Sequence, residues 1–103
     1  MKENYYIYKL ARQTEKTSYH HVDVIMGDGV SKDAVYYGLT QDPKMRLSKH
    51  RPLKGKDVSM IVLAEFGNAW EALEHEAHLV AEHYRAYGAP ELQGMANSGH
   101  RKA

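Results

Sequence analysis

Apolar residues along the chain fall into two rhythms, one of period two and one of period three to four. Tyr5-Tyr6-Ile7-Tyr8-Lys9-Leu10 is rich in β-formers and predicts a strand. Tyr6, Tyr8 and Leu10 would share one face of it, and Tyr5, Ile7 and Lys9 the other. Val22, Val24 and Met26 alternate with Asp23 and Ile25, which predicts a short second strand before the turn signal Gly27-Asp28-Gly29. Asp33 to Leu39 reads as a further strand, so this region is expected to form a meander or an extended β-hairpin. Val58 to Ala64 is apolar at nearly every position, the mark of a buried strand.

Two stretches carry the helical rhythm. Pro43 to about His50 predicts a short helix, with Asp42 as N-cap and Pro43 at the first helical position. Met45 and Leu47 would reach the sheet. Pro52 would end the helix, because the residue before proline avoids helical backbone, and Leu53 to Lys56 would form a basic turn. The stronger helix opens at Asn68, with Glu71 three residues on, and runs to about Tyr87 before Gly88 and Pro90. At about 100° per residue, Ala69, Leu73, Ala77, Val80, Tyr84 and Tyr87 make one apolar stripe. Glu71, Glu74, His75, His78, Glu82 and Arg85 project from the other side. Glu76 falls roughly 60° from the stripe centre, on a shoulder that faces the core. Glu91 to Ala103 reads as loop or tail. The fold class expected is α+β: a three-stranded, mainly antiparallel sheet flanked by helices, with the extended hairpin between its first two core strands.

Composition narrows the function classes. A chain of 103 residues with 43% hydrophobic residues fits a single domain spanning 1–103. Fourteen Lys and Arg against thirteen Asp and Glu give a net charge of +1, so a nucleic-acid partner would need positive charge gathered on one face. The absence of cysteine excludes disulfides, thiolate zinc sites and a cysteine nucleophile. No stretch has signal-peptide or membrane-span character, so a soluble cytoplasmic protein with no membrane partner is expected.

The candidate chemistry gathers around Ala34 to His50. A strand end carrying Tyr36 would look across at a helix carrying Arg46 and His50, which lie one turn apart on one face. A phenol, a guanidinium and an imidazole together suit a phosphodiester: arginine forks onto phosphate, and histidine relays a proton near neutral pH. Glu76 is either a shoulder carboxylate bent to water or the ligand of a divalent cation; Mg²⁺ often takes only one or two carboxylates. His75-Glu76-Ala77-His78 is one residue short of the zinc-protease pattern. Its histidines are expected on a solvated, salt-bridged face, with a histidine-rich metal-binding protein as the lesser reading. Lys44, Lys49, Arg51, Lys54 and Lys56 cluster near the short helix and could supply a basic face for nucleic acid.

Taken together, these residues resemble the GIY-YIG endonuclease family. Tyr6-Ile7-Tyr8 stands where that family has its GIY strand, and Tyr36-Tyr37-Gly38 where it has YIG. Arg46 is similar to the family's helix arginine, His50 to a histidine of some members, Glu76 to its metal-binding glutamate, and Asn97 to its late asparagine. The match keeps the order of the motifs across nearly the whole chain. It departs in having Tyr6 for the first glycine and a longer connection from Tyr8 to Tyr36. The resemblance implies a divalent-metal-dependent endonuclease hydrolysing DNA phosphodiester bonds, with Mg²⁺ or Mn²⁺ as cofactor. Tyr8 would orient or deprotonate the attacking water, with His50 relaying the proton. Arg46 would neutralise charge on phosphorus, Tyr36 would position the site, and Glu76 would hold the metal. Asn97 would support the phosphate or anchor the late loop. One site cuts one strand, so the implied outcome is nicking, or double-strand cutting by a homodimer. The alternative is a nucleic-acid-binding or adaptor domain that keeps the fold without catalysis.

Overall fold

A computed structural model describes residues 4–12, 24–27, 29–55 and 58–93. The elements run β1 (Tyr5–Arg12), β2 (Val24–Met26), β3 (Ala34–Thr40), α1 (Pro43–Lys54), β4 (Val58–Phe66) and α2 (Ala69–Tyr87). The domain is α+β. Its three longer strands form an antiparallel sheet with β1 in the middle, paired to β3 on one side and β4 on the other. The fourth strand, β2, lies outside β4, giving the order β2-β4-β1-β3.

That last strand corrects the expected hairpin. β2 does not fold back on β3; it runs parallel to β4, with Val24 opposite Met60 and Met26 opposite Val62. Gly27 extends the same ladder by donating its N–H to Val62 O at 3.0 Å. A Cβ on Gly27 would stand 2.5 Å from Ile61 Cγ2, so this glycine serves a close approach to β4 rather than a hairpin turn. The chain then returns to the far edge of the sheet. Lys9 Nζ holds the return by donating to Gly29 O at 3.1 Å and to Ser31 Oγ at 2.9 Å. Lys9 is buried, and these bonds are what let an ammonium sit there.

Helices cover both faces of the sheet, so β1 is buried on successive residues from Ile7 to Ala11 instead of alternating. Tyr8, Leu10, Val35, Met60 and Val58 pack on the α1 side around Leu47. Ile7, Ala34 and Tyr37 pack on the α2 side around Ala72 and Leu79. Two bulges adjust this division. One, opposite Ile7 and Tyr8, lets Leu63 and Ala64 both face α2. The other, opposite Leu10 and Ala11, lets Val35 and Tyr36 both face α1.

The caps are as the sequence predicts. Asp42 accepts from Met45 N at 3.2 Å, and Asn68 accepts from Trp70 N at 2.8 Å and Glu71 N at 3.1 Å. Pro52 does not end α1. The helix carries it in the last turn, and Gly55 N–H closes that turn on Arg51 O at 3.0 Å. Met45 is half exposed and leaves the sheet contact to Leu47. The larger correction concerns α2. Its buried positions are Ala72, Leu79 and His83, with Glu76 half buried on the same side. Most of the expected stripe is turned outward: Leu73 is 51% exposed and Tyr84 64%, while Val80 alone of the stripe packs against the core among the described residues. The stripe lines an open groove of about 730 Å³ with Glu76 and Gln93 in its wall.

The rotation has a measurable consequence. Leu79→Ala is expected to cost about 2–5 kcal/mol of unfolding free energy. Leu73→Ala, on the most apolar stripe of the same helix, is expected to cost less than about 1 kcal/mol. Urea unfolding of the two variants checks the order; equal losses would contradict this orientation of α2.

Candidate active site

The site starts from a missing side chain. Tyr8 lies opposite Gly38 in the β1–β3 ladder, on the α1 face. A Cβ on Gly38 would stand 2.6 Å from Tyr8 Cζ and 2.8 Å from Tyr36 Cε2. The bare glycine backbone is therefore the floor on which both phenols rest. Their ring centroids are 6.1 Å apart. Helix α1 brings His50 down on the pair, 4.9 Å from the Tyr36 ring centre and 5.8 Å from that of Tyr8.

Tyr8 Oη and His50 Nε2 share a buried hydrogen bond of 2.7 Å. Tyr8 is 1% exposed and His50 6%, so each satisfies the other where water cannot. Burial, first of all, raises the Tyr8 phenol far above the ordinary tyrosine range; Tyr36 adds to the rise and Arg46 opposes it. Tyr36 is raised by burial and then by the Glu76 carboxylate, with Arg46 again opposing. His50 is pushed down to about 4 by burial, Lys54 and Arg46. At neutral pH the phenol is therefore protonated and the imidazole neutral, and in the tautomer that carries its proton on Nδ1 the bond is O–H donating to Nε2.

Arg46 acts on Tyr8, Tyr36 and His50, and Glu76 acts on both phenols from α2. Of the six residues singled out as catalytic, three, Tyr8, Tyr36 and His50, are in contact although they lie on β1, β3 and α1; Arg46, one turn before His50 on α1, and Glu76, on α2, bear on them electrostatically. Asn97 lies outside the described residues, as does Lys56 of the basic set. The rest of that set divides. Lys44 and Lys49 are exposed on α1. Arg51 reaches past the end of α1, its Nη2 donating to Val58 O at 3.2 Å. Lys54 is buried, with Nζ 5.0 Å from the Tyr36 ring centre. His75 packs on Phe66, its ring centre 5.3 Å away, and His78 is exposed.

Two contributors were not evident from the sequence. Gln93 clasps the outer edge of β3: its Oε1 accepts from Tyr37 N at 2.8 Å and its Nε2 donates to Tyr37 O at 2.7 Å. Leu92 N–H donates to Val35 O at 2.8 Å beside it. Together they occupy backbone groups that an edge strand would otherwise expose, next to Tyr36. Gly38 is the other; the signal for it was Tyr36-Tyr37-Gly38 itself.

Among the described residues no three His, Cys, Asp or Glu side chains gather as a metal cage. Glu76 fits a different kind of cation site. It is a half-buried carboxylate whose pKa is raised by burial, so its anion gains from any cation brought alongside. Mg²⁺ asks for little more than this, since it keeps several waters and completes its shell with substrate phosphate.

Two outcomes follow for the core of the site. Gly38→Ala must displace Tyr8 or Tyr36, at about 1–3 kcal/mol by overpacking; thermal or urea melts read the loss. The His50 imidazole binds a proton near pH 4 when folded and near ~6.5 when unfolded. The unfolded state therefore takes up more protons between those values, and the contribution is present above pH 6.5 and lost as pH falls toward 4. Wild type is expected to lose about 2–3 kcal/mol more than His50→Gln between pH 7 and pH 4.5, checked by urea unfolding at the two pH values.

No family model, no curated protein and no solved structure matches this chain.

Proposed function

We propose that this protein is a divalent-metal-dependent endonuclease of the GIY-YIG kind that hydrolyses DNA phosphodiester bonds. The observation that carries the reading is the dry Tyr8–His50 hydrogen bond, flanked by Tyr36 and reached electrostatically by Arg46 and Glu76. A structural tyrosine–histidine pair needs neither a guanidinium from its own helix nor a carboxylate from the opposite one.

Tyr8 is a neutral phenol with a proton acceptor already in place. Tyr8 is enclosed at rest, so substrate binding must open the pair to the attacking water; as that water gives a proton to Tyr8 Oη, Tyr8 gives its own to His50 Nε2, so no free phenolate forms. The hydroxide oxygen bonds to phosphorus and the P–O bond to the leaving oxygen breaks. His50 is a poor base at rest because of burial and two neighbouring cations. A phosphodiester brings negative charge beside it and raises its proton affinity, which ties proton transfer to the presence of substrate. Arg46 neutralises charge as it builds on the phosphoryl oxygens. Tyr36 hydrogen-bonds the same group and fixes its position. Glu76 would hold Mg²⁺ or Mn²⁺, which when bound supplies charge neutralisation at the phosphate and the leaving oxygen. Lys44 and Lys49, exposed on α1, would meet neighbouring phosphates.

A plasmid-nicking assay with Mg²⁺ or Mn²⁺ tests this. Wild type is expected to nick supercoiled DNA. Tyr8→Phe is expected to lose about 10²–10⁴ of the rate, and Glu76→Ala to lose the dependence on metal. Binding of DNA by wild type, Arg46→Ala and Glu76→Ala alike, with no cutting by any, would replace this reading with that of an adaptor domain.

A further inference from the structure

Helix α1 presents three basic side chains to the tyrosine pair, one turn apart: Arg46, His50 and Lys54. The third is unlike the other lysines of α1. Lys44 and Lys49 stand in water, whereas Lys54 is 8% exposed and its ammonium lies over the Tyr36 ring, 5.0 Å from the centroid. Tyr36 is thus touched from α1 by two side chains in succession, the His50 imidazole at 4.9 Å and the Lys54 ammonium. A lysine placed for the DNA backbone would keep its head hydrated and free to follow a phosphate. This one has surrendered water for an aromatic face, an exchange that a cation–π contact supports only in part. Its remaining compensation is the C-terminal end of α1, whose partial negative charge favours a cation in the last turn.

We propose that Lys54 is a positioning residue of the site, a fixed cation that clamps the Tyr36 ring against His50 and keeps the imidazole ready to receive a proton from Tyr8. The groups facing His50 bear this out. Tyr8 approaches from β1 and Tyr36 from β3, both as neutral phenols. Arg46 and Lys54 approach from α1, and Glu76 acts from α2 on the two phenols. Of the two cations, Arg46 is the partly exposed one, while Lys54 is enclosed. When substrate charge offsets Arg46, Lys54 is the cation left acting on the imidazole. It keeps the relay unprotonated until hydroxide forms, and it keeps the Tyr36 hydroxyl aimed at one place.

The catalytic consequence rests on the endonuclease reading; the clamp itself does not. Lys54→Met retains the stem and removes the charge, and Lys54→Arg retains a cation able to stack. Heteronuclear NMR titration of His50 is expected to give a pKa higher by about half a unit or more in Lys54→Met, with Lys54→Arg near wild type. In wild type alone, the Lys54 ε-protons are expected to be shifted upfield by the Tyr36 ring, which needs no variant to fold. Where wild type nicks DNA, Lys54→Met is expected to lower kcat about tenfold with KM within about twofold, and Lys54→Arg to restore it. Ordinary ε-proton shifts, or an unmoved His50 titration in a folded Lys54→Met, would overturn the clamp. A defect carried by KM, with the salt dependence of binding reduced by about one charge, would mark Lys54 as a backbone contact and overturn it too. If wild type does not nick DNA, the nuclease reading falls, and the NMR results alone decide the clamp.

Discussion

A buried phenol and a buried imidazole that satisfy each other are the constraint around which the domain is arranged. Leaving either polar atom unpaired would cost about 1–3 kcal/mol, so Tyr8 and His50 fix where α1 can sit on the sheet. The bond forms only because nothing projects from Gly38 and because Leu47, one turn of α1 before Arg51 and three residues before His50, is seated in the core beside Tyr8. Strand β1 supplies the phenol from the centre of the sheet, where a position can be held by partners on both sides. A site built on the middle strand and a docked helix inherits their rigidity.

The balance of charge around that bond is compatible with the anionic substrate of the proposed reading. Arg46 and Lys54 bring two cations within reach of Tyr36 and His50, and Glu76 brings one carboxylate. Burial penalises all the groups it encloses: it lowers Lys54 and His50 and raises Glu76. The excess of one positive charge is what a phosphodiester monoanion offsets. The two phenols stay uncharged at rest, so they neither compete with that anion nor neutralise the arginine. In the proposed mechanism their contribution is hydrogen bonding and proton passage in a place with little water.

Much of this was readable from residue patterns because the local signals were strong and agreed. Asp42-Pro43 and Asn68 mark helix starts by satisfying orphan N–H groups, and the spacing of Arg46 and His50 puts them on one face of any helix. Long-range pairing was not readable in the same way. Nothing in Val24-Ile25-Met26 distinguishes a strand that returns along a hairpin from one that runs parallel to β4; the choice is made by Gly27 lying on Ile61 and by Lys9 holding the returning chain. Pro52 departs from the expected helix end because the rule against proline in helices concerns interior turns, and this one is terminal. Lys54 was read as one of several surface cations because composition carries no information about which lysine meets an aromatic ring.

The orientation of α2 bears on function without reference to any relative. Amphipathicity alone would turn Leu73, Ala77, Val80 and Tyr84 to the sheet. Instead Ala72, Leu79 and His83 are the buried positions, with Val80 packed at the edge of the core and Glu76 half buried, while Leu73, Ala77 and Tyr84 border an open groove. By area, leaving Leu73 and Tyr84 more than half exposed forgoes on the order of 2 kcal/mol, and half-burying a carboxylate adds a desolvation cost. A fold selected for stability alone would rotate the helix by one position and avoid both. His83 recovers part of the difference by donating Nδ1–H to Gly88 O at 3.0 Å and packing its ring 5.4 Å from Tyr37. Glu76 stays half buried in the groove wall, where its charge raises the Tyr36 phenol. Conflict between a local preference and the global arrangement is expected where a site needs a group that stability does not, and under the proposed function that group is the carboxylate a cation would neutralise.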